Sequence, residues 1–307
     1  MPFDSPAHWR EARSFHHSRY DEAFLAAREC SISVCLPARD CAATVAPIVE
    51  LLAGLRERGA IDQLVVIDGG SSDETARLAA DAGASVFAED SLMRDYGAVA
   101  GKGDAMWRSL SVLEGDLVCF LDADTLEFPL HYPIGLLGPL IEFDEVDFVK
   151  AFYRRPFRSG ELLVADGGGR VNHLLARPAL AIFYPQLAGL RQPLAGEVAA
   201  RRSLLESLPF VTGYGVEIAM LLDVFEQVGL DGMAQVDLDT HLNSHQPLLD
   251  LSPMAYAVLK VLALRLERDG RLLELDPGPL LLDGRAFDAP LEQRPPMLGA
   301  HPQGHRR

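Results

Sequence analysis

Short apolar runs alternate with stretches of helical spacing through the first half of the chain. "SISVCLP", from Ser31, is followed by "TVAPIVELLAGLRERG", whose apolar residues recur at three- and four-residue intervals and predict a helix with one buried face. "QLVVI" is a continuous apolar run of the kind buried parallel strands show. It opens into "DGGSSDETARLAADAGA", where Ser71 and Glu74 form a capping-box pattern and Asp73 and Glu74 stand near the positive end of the predicted helix. "SVFAE", "GDAMWRSLSVLEG" and "DLVCFL" continue as strand, helix and strand. This alternation predicts an α/β fold, a mostly parallel sheet with helices on both faces. Such sheets bind ligands beyond the carboxyl ends of their strands. The loops at 37–41, 68–72, 122–124 and 153–158 are therefore expected to face one crevice.

The flanks are less regular. Residues 1–30 read as a polar helical extension without an apolar signal core. "ADGGGRVNHLLARP" carries three consecutive glycines, and "AGEVAARRSLLESLPFVTGYGVEIAMLLDVFEQVG" reads as two helices around a Gly-Tyr-Gly turn. "MAQVDLDTHLNSH" has strand character into Leu242, and a helix follows at roughly 252–268. The tail from Asp276 holds six prolines and is expected to be extended or partly disordered. No internal repeat or clear linker interrupts the chain.

The 307 residues suit one large α/β domain with additions, and 49% hydrophobic with 23% charged residues is ordinary globular composition. The net charge of −16 argues against nucleic acid and anionic membranes as partners, yet leaves room for a small phosphorylated ligand. No apolar run approaches the ~20 residues of a membrane span, since "MAYAVLKVLALRL" is broken by Lys260 and Arg265. A cytoplasmic protein is expected. Cys30, Cys35, Cys41 and Cys119 show no metal or redox spacing and are expected to be reduced and structural.

The chemistry gathers at a few places. "LVCFLDAD", Leu117 to Asp124, runs a core strand into two carboxylates, Asp122 and Asp124. Buried carboxylates need a cationic partner, and a divalent ion shared with substrate phosphates would serve. The plainer alternative is a turn-capping Asp122 and a solvated Asp124. Lys102 in "GKGDAMW" lies between glycines, where an ammonium could reach a phosphate, although this is not a Walker A loop. Lys150, Arg154, Arg155, Arg158 and Arg170 make a local positive stretch, a candidate anion site or a salt-bridged surface. His241 and His245 could supply a nitrogen ligand to a metal. Glu217, in an apolar surround, is either structurally paired or orients a substrate hydroxyl.

"VCLPARD", "VVIDGGSSDET", "GKGDAMWRSL", "FLDAD", "VKAFYRRP", "GGGRVNHLLARP", "QPLAGEVAARR", "PFVTGYGVEI" and "AQVDL" together resemble, in order, the actinobacterial glucosyl-3-phosphoglycerate synthases and the related mannosyl enzymes. The resemblance spans roughly residues 30–260. It implies a GT-A fold, with a nucleotide-sugar-binding half over 31–150, an acceptor-binding half over 151–275, and a proline-rich tail over 276–307. It further implies a retaining, Mg²⁺- or Mn²⁺-dependent transfer of a hexose from UDP-glucose or GDP-mannose to the 2-hydroxyl of 3-phosphoglycerate, by a homodimer. Carried over, Pro37, Ala38, Arg39 and Gly69 would line the nucleoside; Lys102, Asp122, Ala123 and Asp124 would hold the rest of the donor and its metal. Gly169, Arg170, Val171 and Asn172 would hold the acceptor, with Tyr214 and Asn243. Glu217 would bind the donor hexose. Asp124, Lys102 and Glu217 would carry catalysis.

The sequence departs from the family pattern at Cys41, where an acidic residue is usual, and at Asn172, where threonine is frequent. The family's metal histidine belongs to an H-x-N-x-P-like stretch. Here His241 with Asn243 fits it best, and His245 is the rival. A nucleotidyltransferase would usually need a glycine-rich, basic N-terminal loop, which "LPARDCAAT" is not; a non-catalytic nucleotide-sugar-binding module is the third reading.

Overall fold

The computed structural model describes residues 3–159, 162–164, 168–241, 247–272, 280–282, 285–287 and 291–299. Its strands run, in chain order, β1 Ser14–His16, β2 Ile32–Ala38, β3 Gln63–Asp68, β4 Ser85–Ala88, β5 Leu117–Phe120, β6 Phe148–Arg154 and β7 Phe157–Ser159. They continue as β8 Leu162–Val164, β9 Val198–Arg201, β10 Phe210–Val211, β11 Met233–Thr240, β12 Leu280–Leu282, β13 Arg285–Phe287 and β14 Gln293–Arg294. Eight pair into one sheet, in the order β1-β11-β6-β9-β5-β2-β3-β4, and the others form the ribbons β7-β8, β10-β14 and β12-β13. Within the sheet every pairing is parallel except those of β9, which runs antiparallel to both β5 and β6.

The continuous apolar runs are explained by burial on both faces. Successive strand residues point to opposite sides. Cys35, Val65, Ile67, Val118 and Phe120 therefore join one core cluster, and Val34, Leu36, Leu64, Val66 and Cys119 join the other. The helices Lys102–Ser109, Val216–Val228 and Ser252–Arg268 cover the first face. The helices Val45–Glu57 and His131–Glu142 cover the second. The four cysteines are free, with Cys35 and Cys119 buried and Cys30 and Cys41 half-buried. No helix among the described residues is long and apolar enough to cross a membrane.

Four expectations need correction. Residues 3–30 are part of the body. β1 pairs in register with β11, and the fully buried Trp9 donates its indole N–H to the Leu230 carbonyl at 2.9 Å. Second, the helix at 75–81 opens at Thr75 on Glu74, which makes no side-chain cap. Ser71 Oγ instead accepts the Asp40 N–H at 3.0 Å, and Asp73 accepts the N–H groups of Ala42 and Thr75. These polar side chains tie the loop after β3 to the loop after β2. Third, "EVAARR" begins as strand β9, because Val198, Ala199 and Ala200 are small enough to be buried between β5 and β6.

The fourth correction is the tail, which is folded where it is described. β14 pairs with β10, Pro295 accepts the Trp107 indole N–H at 2.8 Å, and Met297 is buried. Arg294 donates through Nε to Asp104 Oδ1 at 2.7 Å, and Arg108 donates through Nε to Asp104 Oδ2 at 3.0 Å. Asp104 and Arg108 are fully buried, and the one carboxylate bridges two enclosed guanidiniums, with Glu292 a second partner for Arg294. Removing a single member of such a group leaves uncompensated buried charge and costs about 3–5 kcal/mol. Asp104→Ala is accordingly expected to lower the melting temperature by well over 5 °C in a thermal denaturation scan.

Candidate active site

The carboxyl ends of the strands open onto one cleft of about 1060 Å³. β2 delivers Pro37, Ala38, Arg39 and Cys41; β3 delivers Gly69; β5 delivers Asp122, Ala123 and Asp124; β6 delivers Arg155; β11 delivers His241. Because β9 runs the other way, its amino end lies on this same side and brings Gly196 to the floor, with Glu197 fully buried beside His241. All four predicted loops contribute to one crevice, as strand-end chemistry requires.

At the centre Lys102 Nζ lies 2.6 Å from Asp122 Oδ1 and 3.2 Å from Glu217 Oε1. The ammonium starts the helix Lys102–Ser109, and Glu217 lies in the first turn of Val216–Val228, so two helix starts aim at the end of β5. Burial works to lower the Lys102 pKa, but Asp122 and Glu217 outweigh it and hold the group charged. For Asp122, burial pushes the carboxyl up, and Lys102 more than reverses this. A Cβ on Gly196 would stand 2.4 Å from Asp122 Oδ2 and 2.7 Å from Lys102 Nζ, so only glycine leaves room for the pair. The cation expected beside the two aspartates is thus partly internal, and it belongs to Asp122.

Asp124 is the other half of the pair. Solvent reaches it, but it stands low between the cleft walls, and burial followed by the neighbouring Asp122 raises its pKa. His241 lies nearby, 1% exposed, its ring stacked 4.4 Å from that of Tyr153. The Tyr132 hydroxyl donates to the Thr240 carbonyl at 3.0 Å, which leaves its oxygen to accept from His241 Nδ1 at 3.2 Å. Glu197 Oε1 lies 3.6 Å from the same nitrogen. These neighbours favour the tautomer protonated on Nδ1, leaving a lone pair on Nε2. Nε2 is buried without a hydrogen-bond partner, and His241 lines the cleft. A carboxylate oxygen and an unmet imidazole nitrogen fit a divalent cation, and the Tyr132 oxygen at Nδ1 gives the outer support found at metal-bound histidines, with the Glu197 carboxylate 3.6 Å away adding negative charge.

The other wall carries the glycine-rich segment. Gly169, Arg170 and Val171 line the cleft ahead of a π-helical turn, Asn172–Ala176. Asn172 also lines it, although its side chain is engaged with the protein, donating to the Arg191 carbonyl at 3.2 Å and accepting the Leu194 N–H at 3.3 Å. Tyr214 is exposed on the Gly-Tyr-Gly turn at the rim. Asn243 and His245 lie outside the described residues. Among the described side chains, which do not include that of Arg158, the positive stretch does not form one patch. Lys150 is buried in β6 and donates to the Ala195 carbonyl at 2.6 Å, with burial lowering its pKa to about 8. Arg154 faces a separate cavity with Arg10, Arg177 and Arg191, while Arg155 and Arg170 reach the main cleft. Sequence reasoning did not single out Glu89, Gly196 or Glu197. Glu197 shows the same signature as Asp122, a carboxylate abutting a run of buried apolar residues, and could have been found by it.

Residues 33–160 match the family model for glycosyl transferase family 2. The chain is 38% identical to the glucosyl-3-phosphoglycerate synthase of Petrotoga mobilis over 303 residues, covering 93% of each protein. Its structure is similar to that of mannosyl-3-phosphoglycerate synthase from Rubrobacter xylanophilus, with a TM-score of 0.90, 43% identity, and coverage of 98% of this chain and 100% of the other. It is also similar to glucosyl-3-phosphoglycerate synthase from Mycobacterium tuberculosis in complex with Mn²⁺, uridine-diphosphate-glucose and phosphoglyceric acid. There the TM-score is 0.84 with 36% identity, covering 94% of this chain and 99% of the other.

Proposed function

Because the chain belongs to the glucosyl- and mannosyl-3-phosphoglycerate synthase family, and is therefore a glycosyltransferase of GT-A architecture, we propose that it moves a hexose from a nucleotide sugar to the 2-hydroxyl of 3-phosphoglycerate with retention of configuration. The observation that carries this reading is the group formed by Lys102, Asp122 and Glu217 beside Asp124 and the unmet Nε2 of His241. Asp124 and His241 would hold Mg²⁺ or Mn²⁺, which supplies positive charge against a departing diphosphate. Residues 31–150 would hold the donor and 151–275 the acceptor.

Lys102 would bind a phosphate oxygen of the donor and steady the negative charge that grows there. Glu217 would orient a hexose hydroxyl. Retaining glycosidases use a pair of carboxyl groups about 5 Å apart; here Glu217 is tied to Lys102, which suits positioning rather than attack. In the proposed same-face substitution the bond from the anomeric carbon to the phosphate oxygen breaks as the bond to the acceptor oxygen forms. The acceptor's proton passes to the leaving phosphate. Arg170 and the backbone at Gly169 would hold the acceptor's anionic groups.

A donor-by-acceptor matrix with and without metal tests the reaction. Metal-dependent nucleoside diphosphate release that requires 3-phosphoglycerate is expected, with the anomeric configuration of the product, read by NMR, matching the donor's. Pyrophosphate formation from a nucleoside triphosphate would instead mark a nucleotidyltransferase, and a covalent glycosyl-Glu217 adduct would end the same-face mechanism. Glu197→Gln is expected to weaken metal binding by about 10-fold in calorimetric titration, because the negative charge 3.6 Å from His241 Nδ1 is lost. The reading includes action in the cytoplasm. It also includes a homodimer, for which exposed Leu248, Leu249 and Leu259 around the helix Ser252–Arg268 offer apolar surface. Light scattering decides that point.

A further inference from the structure

We propose that Glu89 reads the base of the nucleotide donor and selects guanine over uracil. The inference rests on the cleft being a nucleotide-sugar site. β5, β2, β3 and β4 lie side by side, so Asp124, Arg39, Gly69 and Glu89 follow one another along the row of carboxyl ends. Three strand spacings span ~14 Å, the scale of an extended nucleoside diphosphate. With the diphosphate at Asp124 and the ribose over Arg39, the base arrives at Gly69 and Glu89.

Glu89 is built for such a contact. It lines the cleft yet is only 4% exposed, and its Oε1 is buried without a hydrogen-bond partner. A Cβ on Gly69 would stand 3.3 Å from Glu89 Oε2 and 3.5 Å from the Ala38 carbonyl oxygen. Glycine at 69 therefore keeps the approach to the carboxylate open. Burial and then Asp104 raise the Glu89 pKa to about 7, only partly offset by Arg108 and Arg39, with Asp68 adding to the rise. A buried acceptor of this kind is costly to leave unmet.

Guanine presents N1–H and the N2 amino group side by side, two donors matching two carboxylate oxygens. Uracil presents one N–H flanked by two carbonyl oxygens, so one carboxylate oxygen would meet a like partial charge. In its ionised form, which prevails above about pH 7, the carboxylate can make two charge-assisted hydrogen bonds to the purine but only one to the pyrimidine. A buried polar site rejects the base that leaves it unpaired.

Calorimetric titration of the full chain with Mn²⁺ and guanosine, inosine or uridine diphosphate tests this without acceptor. The guanosine nucleotide is expected to bind at least ~10-fold more tightly than the inosine nucleotide, which lacks the amino group, and than the uridine nucleotide. Glu89→Gln offers one donor and one acceptor, and is expected to weaken guanosine diphosphate by ~10-fold while sparing uridine diphosphate. Equal binding of guanosine and uridine diphosphates, or a ratio unchanged by Glu89→Gln, would overturn the assignment and leave the proposed reaction standing. Failure to bind any of the three would overturn both.

Discussion

Asp124→Ala is expected to reduce turnover by about 10³-fold, the range seen when one preorganised electrostatic element is removed from a charge-developing site. The reasoning lies in how charge is distributed at the end of β5. Asp122 already has Lys102 at 2.6 Å, so its carboxylate is spoken for within the protein. Asp124 faces the cleft, and His241 Nε2 lacks a hydrogen bond. Losing the carboxylate leaves a lone imidazole, which holds Mg²⁺ poorly because that ion prefers oxygen ligands. Added metal should therefore restore the variant little, and nucleoside diphosphate release with saturating metal is the measurement. An Asp124→Ala variant with near-normal turnover would refute the proposed role. The folded state should be unaffected, since Asp124 lies at the cleft surface.

Lys102→Met is expected to cost about 10²–10³-fold in kcat/KM, with a second effect that separates it from Asp124→Ala. Without the ammonium, Asp122 and Glu217 face one another with no cation between them. Breaking a buried ion pair costs about 3–5 kcal/mol; the pairs here keep side-chain exposures of 17–29%, so a loss at or below the lower end is expected. The pH dependence should also change sign. In the wild type, Lys102 holds the folded-state pKa of Asp122 below its ordinary value, so this contribution to stability is lost as pH falls. In the variant, one of the two facing carboxyls should bind a proton more tightly folded than unfolded. Stability should then rise as pH falls from about 7 toward 5. Thermal denaturation across that range, beside the kinetics, checks both parts.

The parts of the site that were legible in the sequence are those whose chemistry is local. "FLDAD" announces itself because apolar residues run directly into carboxylates, and "QLVVI" because a strand covered on both faces cannot afford polar residues. Helix Ser252–Arg268 was legible for a similar reason, since its apolar residues keep a steady helical interval. What escaped depends on contacts between distant residues. Val198, Ala199 and Ala200 are too small and too few to show a period, and only their place between β5 and β6 makes them a strand. That misreading hid Glu197, because a strand running the opposite way was needed to carry it beside His241. Glu89 follows a short edge strand whose residues are only half-buried or exposed, and nothing local marks its carboxylate as enclosed. Ser71 and Glu74 had the spacing of a cap, but the loop after β2 offered Ser71 a better partner.

Asp104 stands two positions along the helix from Lys102, and the guanidinium that clasps it comes from Arg294. A ribosome would therefore have made every strand of the main sheet before the ammonium's scaffold could lock. Nascent chains that stop short of that arginine should already possess most of the sheet but lack a firmly seated Lys102. A working cleft would wait on translation as far as Arg294.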